Sequence, residues 1–107
     1  MRHLIIAVTG LCLTASVCAW AAAKVEIDQV GQKFDKTNLS LKAGDQIRFL
    51  NRDDTSHNIN IIDAVDIAHD RGLQKPGETI DVLFDKAGRF TVRCAIHPRM
   101  KMSVVVE

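Results

Sequence analysis

The 107-residue sequence has no tyrosine, one tryptophan, three cysteines and no marked excess of either charge. Each shortage excludes something. Lys and Arg number 14 against 13 Asp and Glu, a formal net charge of +1. Without a global excess of positive charge, nucleic acid is not an expected partner. Two prolines and six glycines leave no room for a Pro/Gly-rich linker or low-complexity tract. A long apolar run occurs in one place only, Leu4 to Trp20, and it falls short of the roughly 20 residues a spanning helix needs.

That run has the three-part form of a secretory signal. Met1-Arg2-His3 is a short positive start, the apolar run follows, and Ala21-Ala22-Ala23 supplies the small residues a signal peptidase requires. Residues 1–23 are therefore expected to be removed, with cleavage after Ala21 or Ala23, and residues 24–107 to form the working domain. Cys18 does not mark a lipid anchor, because Val17 precedes it where a lipoprotein signal carries Gly, Ala or Ser. The product is expected to be periplasmic or secreted, monomeric and free of the membrane.

Removing 23 of 107 residues leaves 84, and losing Arg2 leaves 13 basic residues against 13 acidic ones. A domain of that size buries only about 60–65% of its unfolded surface. Small exported domains are commonly braced by disulfides or a metal. Cys12 and Cys18 leave with the signal, and Cys94, alone, cannot form an internal disulfide. An unpaired thiol in an oxidising compartment calls for protection or a task, and metal ligation supplies both.

What remains reads as short strands separated by turns. Val25 to Asp28 and Leu39 to Leu41 alternate apolar with polar; Ile47 and Phe49 share a face. Asn58 to Ile62 is apolar and β-branched, Ile80, Val82 and Phe84 share a face, and so do Phe90, Val92 and Cys94. Val104-Val105-Val106 closes the chain. Ala43-Gly44-Asp45, Lys75-Pro76-Gly77 and Asp85-Lys86-Ala87-Gly88 mark turns. Strands and turns at this spacing predict an all-β sandwich or barrel. The exception is 63–71, where Ala64, Val65, Ile67 and Ala68 suit one or two helical turns on a surface connection, with His69 facing solvent.

Residues that bind a soft metal gather in two segments. One is Cys94-Ala95-Ile96-His97-Pro98-Arg99-Met100-Lys101-Met102; the other is the loop Asp53 to Asn58, containing His57. Singly, a buried Cys is most often a small hydrophobe and a Met most often core filling. Together, a thiolate, two imidazoles and a distant thioether are the donors of a trigonal copper site with a weak axial Met. Three donors on one tight loop, closed by a fourth from elsewhere, form a rigid holder that suits both Cu(I) and Cu(II).

These segments resemble the copper loop of the cupredoxins, the type 1 blue copper proteins, and most of all their amicyanin-like branch, with the plastocyanins and pseudoazurins as relatives. The resemblance extends to Lys42-Ala43-Gly44-Asp45, Asn51-Arg52-Asp53, Lys75-Pro76-Gly77-Glu78, Asp85-Lys86-Ala87-Gly88 and Val104-Val105-Val106-Glu107. It implies a Greek-key sandwich of about eight strands with one copper ion at one end. His57, Cys94 and His97 would be equatorial ligands, and Asn58 would tie their two loops together beside the sulfur. His97 would present its outer edge as the port for electrons. The implied partners are redox proteins, a donor such as a periplasmic dehydrogenase and an acceptor such as a c-type cytochrome.

Met100 and Met102 both compete for the axial position. Met100 lies three residues after His97, the short amicyanin-like loop, whereas Met102 shares the parity of Val104 and Val106 and extends their inward face. Met100 is the expected ligand and Met102 the alternative. Ile96 departs from the family, which commonly has Pro there. No acidic residue occurs between Asp85 and Glu107, while Arg89, Arg93, Arg99 and Lys101 surround the expected port. Such a surface would steer toward an acidic rim on a partner. The chemistry expected is single-electron transfer, the alternative being copper delivery or storage through the same ligands. A Cys–His enzyme is not expected, since no oxyanion feature accompanies the thiol and a chain this small leaves little room for a cleft.

Overall fold

The computed structural model describes residues 21–107, with His3, Leu4, Ala7, Thr9 and Gly10. Most of the expected signal segment, including Cys12, Cys18 and Trp20, lies outside the described residues. Among those described, no helix is long and apolar enough to cross a membrane.

Eight strands form two sheets. The smaller contains β1 (Lys24–Gln29), β3 (Asp45–Asn51) and β6 (Thr79–Phe84), in the order β1-β3-β6. The larger contains β2 (Asn38–Leu41), β4 (His57–Ile62), β5 (Ala68–Gln74), β7 (Gly88–Arg93) and β8 (Lys101–Val106), in the order β2-β8-β7-β4-β5. Two pairs, β1 with β3 and β2 with β8, run parallel, and the rest run antiparallel. This non-sequential order is that of a Greek-key sandwich.

Strand alternation builds the core. Every second residue of β3 is buried, placing Ile47 and Phe49 inward, and β8 does the same with Met102, Val104 and Val106. Ile27, Val82 and Phe84 from the small sheet meet Ile59, Ile61 and Val92 from the large one. Each such side chain contributes about 1.5–3 kcal/mol by leaving water. Phe34 packs edge-on against Phe49, with ring centroids 5.9 Å apart.

The helical connection expected at 63–71 is a turn followed by a strand. Asp63 Oδ1 accepts the backbone N–H groups of Val65 and Ile67 at 3.0 and 2.9 Å, and Asp63 N–H donates to the Ile67 carbonyl at 2.9 Å. A side chain that satisfies the amides ahead of it competes with helix formation. Asp66 then takes a left-handed φ of 64°, which closes the turn. The chain returns as β5, an edge strand exposed over most of its length, with His69 facing solvent.

β5 carries a bulge. Asn58 pairs with Leu73 and Asn60 with Asp70, so Arg71 and Gly72 together oppose Ile59. Gly72 has φ 109°, a conformation that favours glycine. Asp70 Oδ1 accepts both the Gly72 N–H at 2.9 Å and the Asn58 Nδ2–H at 3.4 Å. The irregularity thus falls beside Asn58, where β4 begins. The start of β4, the end of β7 and the start of β8 all lie at this end of the sandwich.

Candidate metal centre

His57 is the first residue of β4 and is fully buried. Cys94 follows the last residue of β7 on its inward face and is 1% exposed. Between Cys94 and Met100 the chain makes a compact loop. Pro98 presets the dihedral for a turn, and the Met100 N–H donates to the His97 carbonyl at 2.9 Å. The Cys94 N–H donates to the Met100 carbonyl at 3.2 Å and closes the loop at its base. His97 lies near the loop's tip and is half-buried.

Three donor atoms converge. His57 Nδ1 lies 3.0 Å from His97 Nδ1, and Cys94 Sγ lies 3.9 Å from the first and 3.8 Å from the second. The rings meet edge-on at 70°, with centroids 4.9 Å apart. Donors each about 2.0–2.3 Å from one ion stand roughly 3–4 Å from one another, so this spacing fits a single metal. No carboxylate joins the group, which is the one cluster of its kind among the described residues. A thiolate with two imidazoles suits copper better than a hard cation.

Asn58 ties the two loops together. Its backbone N–H points at Cys94 Sγ at 3.4 Å, and its Oδ1 accepts the Ala95 N–H at 2.5 Å. Met100 is 1% exposed, on the inward side directly across from Cys94. Met102 is equally buried but pairs with Val92, one inward position deeper in the sandwich. His69 takes no part; it bonds Asp63 Oδ2 at 2.9 Å at the solvent-exposed edge.

One residue of the site escaped the sequence reading. Asp53 Oδ2 receives His57 Nε2 at 2.7 Å, on the side of the ring away from the cluster. Burial pushes the Asp53 carboxyl up, but hydrogen bonds from the Gln32 amide, from His57 and from the Gly31 amide together hold it below the ordinary carboxylate range. An acidic residue four positions before a ligand histidine was the available signal. Asp53 and Asp54 stand side by side in that loop, and nothing in the sequence separates them.

The edge of His97 opens onto a groove of about 410 Å³. Gly31, Gln32 and Lys33 line one side, Ile96 and Arg99 the other. A family model of copper-binding proteins, the plastocyanin/azurin family, matches residues 21–107. The chain is a cupredoxin. Its cofactor is copper, and its activity is that of an electron-transfer protein, not an enzyme.

This cupredoxin is 28% identical to amicyanin of Paracoccus denitrificans over 89 residues, covering 81% of this chain and 68% of the relative. It is 31% identical to the methylamine utilization protein MauL of Methylorubrum extorquens over 90 residues, 84% of this chain and 79% of the relative. Chloroplastic plastocyanin of Tetradesmus obliquus is 31% identical over 100 residues, 86% of this chain and 68% of that protein. A reduced tryptophan-to-tyrosine variant of amicyanin superposes with a TM-score of 0.72 at 28% identity, covering 82% of this chain and 86% of that one. An oxidised proline-to-alanine variant gives the same score and identity over 78% and 82%.

Proposed function

We propose that His57, Cys94, His97 and Met100 hold one copper ion and that the protein carries single electrons through it in the periplasm or outside the cell. The convergence of two Nδ1 atoms and one Sγ within 3.0 to 3.9 Å carries this reading. Copper bound there would supply a one-electron couple between Cu(I) and Cu(II). The chain supplies rigidity: the Cys94–Met100 loop is closed at its base, Asn58 locks it to β4, and the sandwich excludes water from the sulfur. Low exposure of Cys94 favours a carrier over a delivery protein, whose cargo must be reached by an acceptor thiol.

Residues 1–23 contain an export signal and its cleavage site in this proposal. Ala23 bears on the cleavage point: its N–H donates to Asp45 Oδ1 and its carbonyl accepts from Gln46, each at 2.9 Å. Cleavage after Ala21 preserves both bonds, which favours it over cleavage after Ala23. Electrons would come from a donor such as a periplasmic dehydrogenase and pass to an acceptor such as a c-type cytochrome. Lys33 and Arg99 beside His97, with Arg93 and Lys101 paired across β7 and β8, favour partners with an acidic rim.

The test is optical. Copper-loaded protein should be blue in the oxidised state, with narrow copper splitting in its EPR spectrum, and Cys94→Ser should abolish the colour. A colourless copper-loaded protein with ordinary splitting would overturn the electron-carrier reading.

A further inference from the structure

We infer that Asp53 positions His57 and that its charge tunes the metal centre, the same carboxylate also anchoring the turn that walls the groove beside His97. This rests on the metal-centre reading above for its redox consequence, but not for its structural one.

The carboxylate of Asp53 is 11% exposed and accepts three hydrogen bonds. Oδ1 takes the Gly31 N–H at 2.6 Å; Oδ2 takes the Gln32 N–H at 2.9 Å and His57 Nε2 at 2.7 Å. Gly31 and Gln32 are the central residues of a two-residue turn, Val30–Lys33, closed by reciprocal backbone bonds of 2.9 and 3.2 Å. Both are left-handed, with φ of 62° and 55°. Consecutive amides in such a turn form a concavity that favours an anion. Here the anion is a side chain of the protein. Asp53 is held in its turn: its N–H donates to Asn51 Oδ1 at 3.0 Å, and Asn51 Nδ2 donates to the Thr55 and Gln74 carbonyls at 2.9 and 3.2 Å.

An acceptor at Nε2 requires the proton of neutral His57 to reside there, which leaves the Nδ1 lone pair facing Cys94 and His97. The tautomer and the ring angle are therefore set before any metal arrives. A carboxylate does more than a carbonyl would in the same place. Its negative charge, largely shielded from water, favours the more positive, oxidised state of the centre. A neutral acceptor would keep the orientation and lose that bias.

The experiment compares Asp53→Asn with Asp81→Asn, which removes the same charge from an exposed position on β6. Asp53→Asn should lower copper(II) affinity by about 10–100-fold, the range for mutating a ligand's outer-shell partner. A loss about 10-fold greater for the oxidised than the reduced state raises the reduction potential by about 59 mV. Asp81→Asn should do neither. An equal shift in both variants, or none in Asp53→Asn, would sink the tuning role. Nitrogen-15 NMR of the unmodified protein, metal-free and copper(I)-loaded, tests orientation independently of any variant's folding. His57 should be protonated at Nε2 and bare at Nδ1 in both; a proton on Nδ1 in the metal-free protein would overturn the positioning role even if copper binds as proposed.

Discussion

Met100 and Met102 differ by two residues and have equal burial, yet they sit at different depths. The first faces Cys94 across the base of the loop, the second faces Val92. Met100→Leu should therefore change the copper absorption spectrum and raise the reduction potential, because a weak thioether donor is lost from the centre. Met102→Leu is a near-isosteric core exchange, expected to cost less than about 1.5 kcal/mol and leave the spectrum alone. A spectral change confined to the Met102 variant would reverse the assignment.

At this scale the sequence was most legible where chemistry is concentrated. Cys94, His97 and Met100 share one short segment, and the spacing of soft donors within it has few other uses. Asp53 was opaque for the opposite reason. Its partners, Gly31 and Gln32, are more than twenty residues away, and only the folded chain brings that turn against the loop before β4.

Among the elements, β5 shows what hydrophobic patterning cannot detect. An edge strand exposed on both faces needs no alternation, and Ala68-His69-Asp70-Arg71-Gly72 shows none. Its charged residues suit an edge that must not recruit another strand. Ala64, Val65, Ile67 and Ala68 suggested a helical connection at 63–71, but Asp63 decides the local geometry. Asp63→Ala removes two acceptor bonds to exposed backbone and the His69 contact. It should destabilise the domain by about 1 kcal/mol, or about 4–8 °C in thermal midpoint for a domain of this size. A melting curve identical to wild type would show that the turn forms without this side chain. Strands such as β3 and β8 were legible because they alternate between a core face and a wetter one, with Ile47, Phe49, Met102, Val104 and Val106 inward, and β4 because it is an apolar, β-branched run.

For the whole molecule, pH and salt act through charge. Asp81 is held down to about 2 by hydrogen bonds from Arg48 and Lys24, and the Lys42 and Ala23 amides lower Asp45. A carboxyl depressed in the folded state stabilises fully above its unfolded value, near 3.8, and loses that contribution as pH falls through the folded value. Urea midpoints should therefore drop between pH 4 and about 2, less steeply for Asp81→Asn. An unchanged slope in that variant would remove Asp81 from the acid response. Near-zero charge overall combines with a basic end around His97. Electron exchange with an acidic partner should consequently slow as salt is added, since screening acts on the association rate. Rates indifferent to ionic strength would show that the Lys33–Arg99 end does not steer.

The eighth strand in chain order, β8, lies inside the larger sheet, between β2 and β7. β2 has β8 as its one neighbour in that sheet, so the sheet cannot be completed until the segment after Met100 docks, and assembling the donor cluster and sealing the sandwich are one event.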